Sequence, residues 1–264
     1  MGYKMIINHG VRGSVPNSSP HTLKYGGNTP CLELKTKKFQ LIFDCGSGFS
    51  KVDFSNNLET IIFISHFHHD HIQGLPFNNF KKIKNKKILI TSAHSNKDIV
   101  YANLSKYYSS PYFPVDFLEI SNIFEFVDFN DVISRFSDLK INSIDLNHPG
   151  NCSGYNVTIK DKKFCYLLDN EYDENQKKDL IKFCNYSDTI IWDGMFLESE
   201  LKDKKGWGHS SIEQGIIFAK EIDVKNFIIS HHSPSRHDEE IDKLQNSFVG
   251  TNIKFASENE ISEF

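Results

Sequence analysis

Arginine is scarce in this chain. Of thirty basic residues only Arg12, Arg135 and Arg236 are arginines, and the formal net charge is −4. A surface that grips a polyanion needs surplus positive charge, so no stable nucleic-acid partner is expected. The five cysteines (Cys31, Cys45, Cys152, Cys165, Cys184) form no C-x-x-C pair and are odd in number. That excludes a disulfide framework and a thiolate zinc site, and reads as reduced thiols in a cytoplasmic protein. No apolar run approaches the length of a membrane span, and MGYKMIINHG carries no apolar signal core, so no membrane association is expected.

What the chain does have is enough apolar and aromatic content, 39% and 13%, to build a core from its 264 residues. We expect one domain over residues 1–264. Strand-like runs fall at 5–8, 31–35, 39–44, 61–65 and 87–92, followed by a helix over 95–109. Further strands are predicted at 138–146, 154–160, 163–168, 188–193, 226–230 and 252–256, with helices at 173–184, 211–222 and 237–248. Strands then helix, roughly twice, fits an α/β fold of two mixed sheets packed face to face with helices outside.

The stretch SHFHHDH (65–71) concentrates four histidines and an aspartate in six positions. Packing alone is a poor reason for that, because imidazole is costly to bury without partners. His66 and His68 share one face if the strand persists, and Asp70 and His71 follow where the chain turns. His148, Asp169 and His231 each stand at the C-terminal end of an apolar strand-like run. Strand ends on one edge of a sandwich converge, so these seven residues suit two ions. His66, His68 and His148 would take one and Asp70, His71 and His231 the other, with Asp169 bridging. Imidazole and carboxylate donors without thiolate fit zinc best, with manganese as an alternative. His69 is expected to point away. His21 and His94 lack any such context. Between His231 and His232 only one should reach the site.

The order H-x-H-x-D-H, then His, Asp and His, resembles the metallo-β-lactamase superfamily, over almost the whole chain from FDCGSG (43–48) to ISHHSP (229–234). GVRGSVP (10–16), YGGNTPC (25–31), GWGHSS (206–211) and SHHSPSR (230–236) are similar to its ribonuclease Z-like and cyclic-phosphodiesterase branch. The resemblance implies an αβ/βα four-layer sandwich. It assigns the ligand to His231 rather than His232 and makes His209 a catalytic histidine that is not a ligand, with Asp193 at an acidic position of the branch. It also implies a homodimer. Asp169 is followed by Asn170 where Thr or Ser is more usual in the branch, and no inserted arm of the tRNA-clamping kind is present.

The expected activity is hydrolysis of a small anionic phosphodiester, such as a cyclic nucleotide or phosphoribosyl cyclic phosphate. A hydroxide bridging two divalent ions would attack, Asp70 would orient it, and His209 would protonate the leaving group. Asn28, Ser210, Arg12 and Arg236 are the expected substrate-binding residues, and a capping box is expected from Ser210 to Glu213. The aromatic-rich segment 101–117 is either a lid or base-stacking surface, or core and dimer contact. A same-fold hydrolase of a lactone, thioester or other acyl compound, or an RNA-processing nuclease, is the alternative.

Overall fold

A short apolar run buried on both faces belongs in the middle of a covered sheet, and FQLIF (39–43) and TIIWD (189–193) are runs of this kind, buried at every position. The computed structural model describes residues 5–263. Its first half carries β1 (Met5–Gly10), β2 (Cys31–Lys35), β3 (Phe39–Phe43), β4 (Glu59–Phe63), β5 (Ile88–Thr91) and β6 (Phe124–Phe126). The second half carries β7 (Lys140–Leu146), β8 (Cys152–Ile159), β9 (Lys162–Leu167), β10 (Thr189–Asp193), β11 (Asn226–Ser230) and β12 (Ile253–Phe255). A last strand, β13 (Ile261–Glu263), returns to pair antiparallel with β1.

The strands form two mixed sheets, ordered β13-β1-β2-β3-β4-β5-β6 and β12-β11-β10-β9-β8-β7. Helices α1 (His69–Ile72), α2 (Lys97–Tyr107), α3 (Phe117–Ser121) and α4 (Phe129–Arg135) belong to the first half. Helices α5 (Lys177–Cys184), α6 (Ile212–Glu221) and α7 (Asp238–Asn246) belong to the second.

Alternation along single strands builds three cores. From β3, Leu41 and Phe43 enter the layer between the sheets, where they meet Tyr155, Phe164 and Tyr166. Ile42 faces the other way, into a layer with Val100 and Leu104 of α2. On the far side, Ile190 and Trp192 of β10 pack with Leu180 of α5 and Phe218 of α6. The result is helices, sheet, sheet, helices, the expected αβ/βα sandwich.

Differences from the sequence-based elements are local. The helix expected over 173–184 begins only at Lys177, because residues 169–176 are spent in turns around the site. The capping box is shifted by one residue: Ser211, not Ser210, is the N-cap, and Gln214 rather than Glu213 returns the bond. Short α3, α4 and β13 lack the length to show a period. All five cysteines are free and buried. No helix among the described residues is long and apolar enough to cross a membrane.

Candidate metal centre

Strands β3, β4 and β5 run parallel, as do β9, β10 and β11. Their carboxyl ends share one edge of the sandwich, the usual place for a site in an α/β protein. The edge is joined across the two sheets by Ser153 N–H donating to the Ser65 carbonyl at 3.0 Å.

Three chain reversals at this edge use the same device. Asp44 directly follows β3, Asp169 lies two residues past β9, and His231 directly follows β11; their φ angles are +62°, +60° and +59°. The left-handed region is strained for a residue with a side chain, at about 1–3 kcal/mol each. It turns a polar side chain across the strand end instead of along it. His66 and His68 lie in the extended segment after β4, and His68 leads into the short helix α1, which carries Asp70 and His71.

Two clusters result. Donor atoms of His66, His68, His148 and Asp169 lie within 4.8 Å of one another, and so do those of Asp70, His71 and His231. Asp169 faces both. Its Oδ2 is 3.4 Å from His66 Nε2 and 3.5 Å from His148 Nε2. Its Oδ1 is 3.3 Å from His71 Nε2 and 3.1 Å from His231 Nε2. Asp70 Oδ2 stands 3.4 Å from both His71 Nε2 and His231 Nε2, and accepts from the Ser14 amide at 2.7 Å.

Hydrogen bonds fix the tautomers. His71 Nδ1–H donates to Asp44 Oδ2 at 2.7 Å, and Tyr166 O–H donates to the same oxygen at 2.8 Å. Ser65 gives both its amide and its hydroxyl to Asp44. With its proton so used, Ser65 Oγ accepts His66 Nδ1–H at 3.0 Å. His148 Nδ1–H donates to the Gly208 carbonyl at 2.7 Å. All three rings therefore turn Nε2 inward, with Nδ1 already engaged.

These inward atoms supply the test of whether a metal fits. His66 Nε2, His71 Nε2, His231 Nε2 and Asp169 Oδ1 are buried without a hydrogen-bond partner. An orphaned buried polar atom costs about 1–3 kcal/mol, and four of them converge here. Charge points the same way. Burial works against charge on Asp70, but the charge of His71 and the nearby His231 ring reverse it and hold the carboxyl far below its ordinary range. Asp169 is held low in the same way by His231 and His71, again against burial. Burial opposes a proton on His71, yet Asp169, Asp70 and Asp44 together raise its pKa well above the usual value. By contrast burial pushes His66, His68 and His148 down, toward the neutral form. The carboxylates, bare imidazole nitrogens and missing partners are those of a divalent-cation site.

His209 stands beside both clusters. Its ring centre is 5.3 Å from that of His148 and 5.1 Å from that of His231. Nδ1–H donates to Asp193 Oδ2 at 2.9 Å, and Asp193 is anchored by the amides of Asn170 and Met195. Burial disfavours a charged His209, but Asp193 outweighs it and raises the pKa to about 9. Donor atoms of Asp169, Asp193, His209 and His231 also fall within 4.8 Å of one another, but Asp193 and His209 are already engaged with each other.

Other expectations meet a different structure. Arg12 is fully buried, and its guanidinium is spent on the carbonyls of Gly26, Ser233 and Arg236. Arg236 is buried and paired with Glu200. Asn28 donates to Glu258 and accepts from Ser47. Ser210 is fully buried, its hydroxyl donating to the Asn170 carbonyl. These four stitch loops together. His232 bonds the Ala256 carbonyl, His94 contacts Ser92 and Ser153, and His21 stacks on His237.

His69 faces away from the clusters and pairs with Tyr107. Both line a cavity of about 830 Å³ that also touches His66 and His68, walled by Phe77, Tyr112 and Phe113. Segment 101–117 thus serves both ends: Phe117 is core, Tyr112 faces this cavity, and Tyr107, Tyr108 and Phe113 pack against the core and line the cavity as well. Asp44 is the residue that sequence reasoning missed. It ends an apolar strand, the signal that marked Asp169 and His231.

A family model described as Anti-Pycsar protein Apyc1 matches residues 22–255. Among curated proteins, a ribonuclease Z of Prochlorococcus marinus (strain MIT 9301) is 29% identical over half of this chain and 43% of its own, so this chain spans under half of that relative's length. A ribonuclease Z of Oceanobacillus iheyensis is 23% identical over 77% of this chain and 82% of its own. Among solved structures, the metallo-β-lactamase fold protein YhfI from Bacillus subtilis superposes with a TM-score of 0.71 at 17% identity, covering 98% of this chain and 99% of its own. A diphosphatase from the PhnP family gives 0.69 at 14%, covering 99% and 98%. Unliganded yeast PDE1 gives 0.64 at 16%, covering both chains fully. The fold is that of the metallo-β-lactamase proteins.

Proposed function

The chain belongs to the Anti-Pycsar protein Apyc1 family, and from that premise we propose that it is a metal-dependent phosphodiesterase acting on a small cyclic or nucleotide-like diester. His66, His68 and His148 would hold one divalent ion and Asp70, His71 and His231 the other, with Asp169 shared; zinc suits these donors best and manganese is the alternative. Such ions, when bound, would acidify a water and neutralise charge on a phosphoryl oxygen.

The observation that carries this reading is the position of the His209–Asp193 pair. One imidazole sits against a ring from each cluster, with Asp193 holding its Nδ1 proton. Its Nε2 is left to hold a proton for a departing alkoxide, the step that cleavage of a phosphodiester needs most. The charge of Asp193 keeps that proton in place at neutral pH. Asp70, anchored by the Ser14 amide, orients the attacking group. The adjacent cavity offers aromatic walls to a planar substituent. Relatives named ribonuclease Z favour a second reading, an RNA-processing nuclease.

The test is turnover of cyclic mononucleotides, cyclic dinucleotides, phosphoribosyl cyclic phosphates, bis(p-nitrophenyl) phosphate, a precursor tRNA and acyl lactones, each with zinc and with manganese. The small diesters should be hydrolysed. Lactone turnover without any diester turnover would overturn the proposal, and cleavage confined to the precursor tRNA would select the nuclease.

A further inference from the structure

We propose that Glu171 is a positioning residue whose carboxylate holds the loop behind His148 and His209 in register with the two clusters. The inference rests on reading those clusters as a metal centre. Glu171 lies two residues beyond Asp169. A single oxygen, Oε2, accepts the amides of Gly206 at 2.7 Å and Gly208 at 3.0 Å. Both glycines are in the left-handed region, with φ of +84° and +83°. At Gly208 a Cβ would come within 2.1 Å of His148 Nδ1, so no side chain fits where this peptide meets the ring.

The loop does two things at once. The Gly208 carbonyl takes the Nδ1 proton of His148, which leaves Nε2 of that ring facing Asp169. The next residue is His209. The carboxylate therefore anchors the peptide that sets the tautomer of one candidate ligand and the backbone of the candidate proton donor.

Glu171 is tied down in turn. Its amide donates to the Asn147 carbonyl at 2.8 Å and its carbonyl accepts Asn147 Nδ2–H at 3.0 Å, while the Asn147 amide donates to Asn170 Oδ1 at 2.8 Å. Ser210 closes the junction by donating to the Asn170 carbonyl. Residues 169–171 are thus the knot where the loops bearing His148, Asp169 and His209 meet. That gives Asn170, unusual at its position, a role: its side-chain oxygen receives the residue preceding His148.

The role depends on reach and an acceptor oxygen, not on charge. Glu171→Gln keeps an acceptor at the same distance; Glu171→Asp keeps the charge but falls one methylene short. Metal-stripped protein is titrated with zinc by calorimetry, and kcat and KM are measured on bis(p-nitrophenyl) phosphate. We expect Glu171→Asp and Glu171→Ala to weaken one binding step by about 10–100-fold, the step also lost in His148→Ala, and to lower kcat more than they raise KM. Glu171→Gln should restore both. If Glu171→Ala does not fold, the Gln and Asp variants decide alone. Wild-type zinc affinity in Glu171→Asp, or a defect confined to Glu171→Gln, would overturn the proposal while leaving the metal centre standing. Wild-type protein that takes up no zinc would overturn both.

Discussion

The two clusters both face Asp169 and differ in charge and closure. The cluster of His66, His68 and His148 is three imidazoles, all biased toward the neutral form, and His68 is exposed. Its outer supports are the Ser65 hydroxyl behind His66 and a loop carbonyl, that of Gly208, behind His148. The cluster of Asp70, His71 and His231 is buried throughout and includes a carboxylate. Behind His71 stands Asp44, itself held by Ser65 and Tyr166. One half is open, with a hydroxyl and a carbonyl behind its rings, and the other is closed, with the Asp44 carboxylate directly behind His71. Affinity should follow anchoring: the closed half keeps its ion, and the open half exchanges it beside the cavity where substrate would enter.

Asp169→Ala attacks what the halves share and should have the largest effect, with bound metal near zero by elemental analysis and turnover at background. His209→Ala should spare both halves, keeping full metal content while kcat falls by about 10²–10⁴-fold. Asp44→Asn should discriminate between them. Zinc titration should then show about 10–100-fold weaker binding at the closed half and a smaller change at the open half, which Asp44 reaches only through Ser65. Equal weakening of both halves would erase the distinction drawn above. The smallest effect belongs to Asp193→Asn. Asp193 raises the pKa of His209 to about 9, so activity that needs the protonated ring is lost as pH rises through its pKa. Removing the charge lowers that pKa, so the alkaline limb of the pH–rate profile should move toward neutral pH.

Two candidate ligands of each half, His66 and His68, Asp70 and His71, were legible because SHFHHDH is contiguous and its chemistry has few other uses. His148, Asp169 and His231 were legible through a rule about strand ends, and the same rule applies to Asp44 in FQLIFD. The loop residues behaved differently. Arg12 and Arg236 carry charge near the site, yet their partners are carbonyls and a glutamate brought there by tertiary packing from as far as 224 residues away in sequence. Ser210 and Ser211 are chemically equivalent in a string of letters, and only the entry angle of α6 decides which one caps it. The role argued for Glu171 was likewise invisible, since its donors are backbone amides that leave no mark on composition.

The candidate ligands come from both sheets: His66, His68, Asp70 and His71 from the first half, His148, Asp169 and His231 from the second. Ions in this position would act as rivets across the seam between the two halves. Adhesion between the sheets is then partly a function of metal supply: each ion present at 100 times its dissociation constant adds about 2.7 kcal/mol to the folded state. A shortage of the ion would reach the protein twice, first as lost chemistry and then as a loosened sandwich.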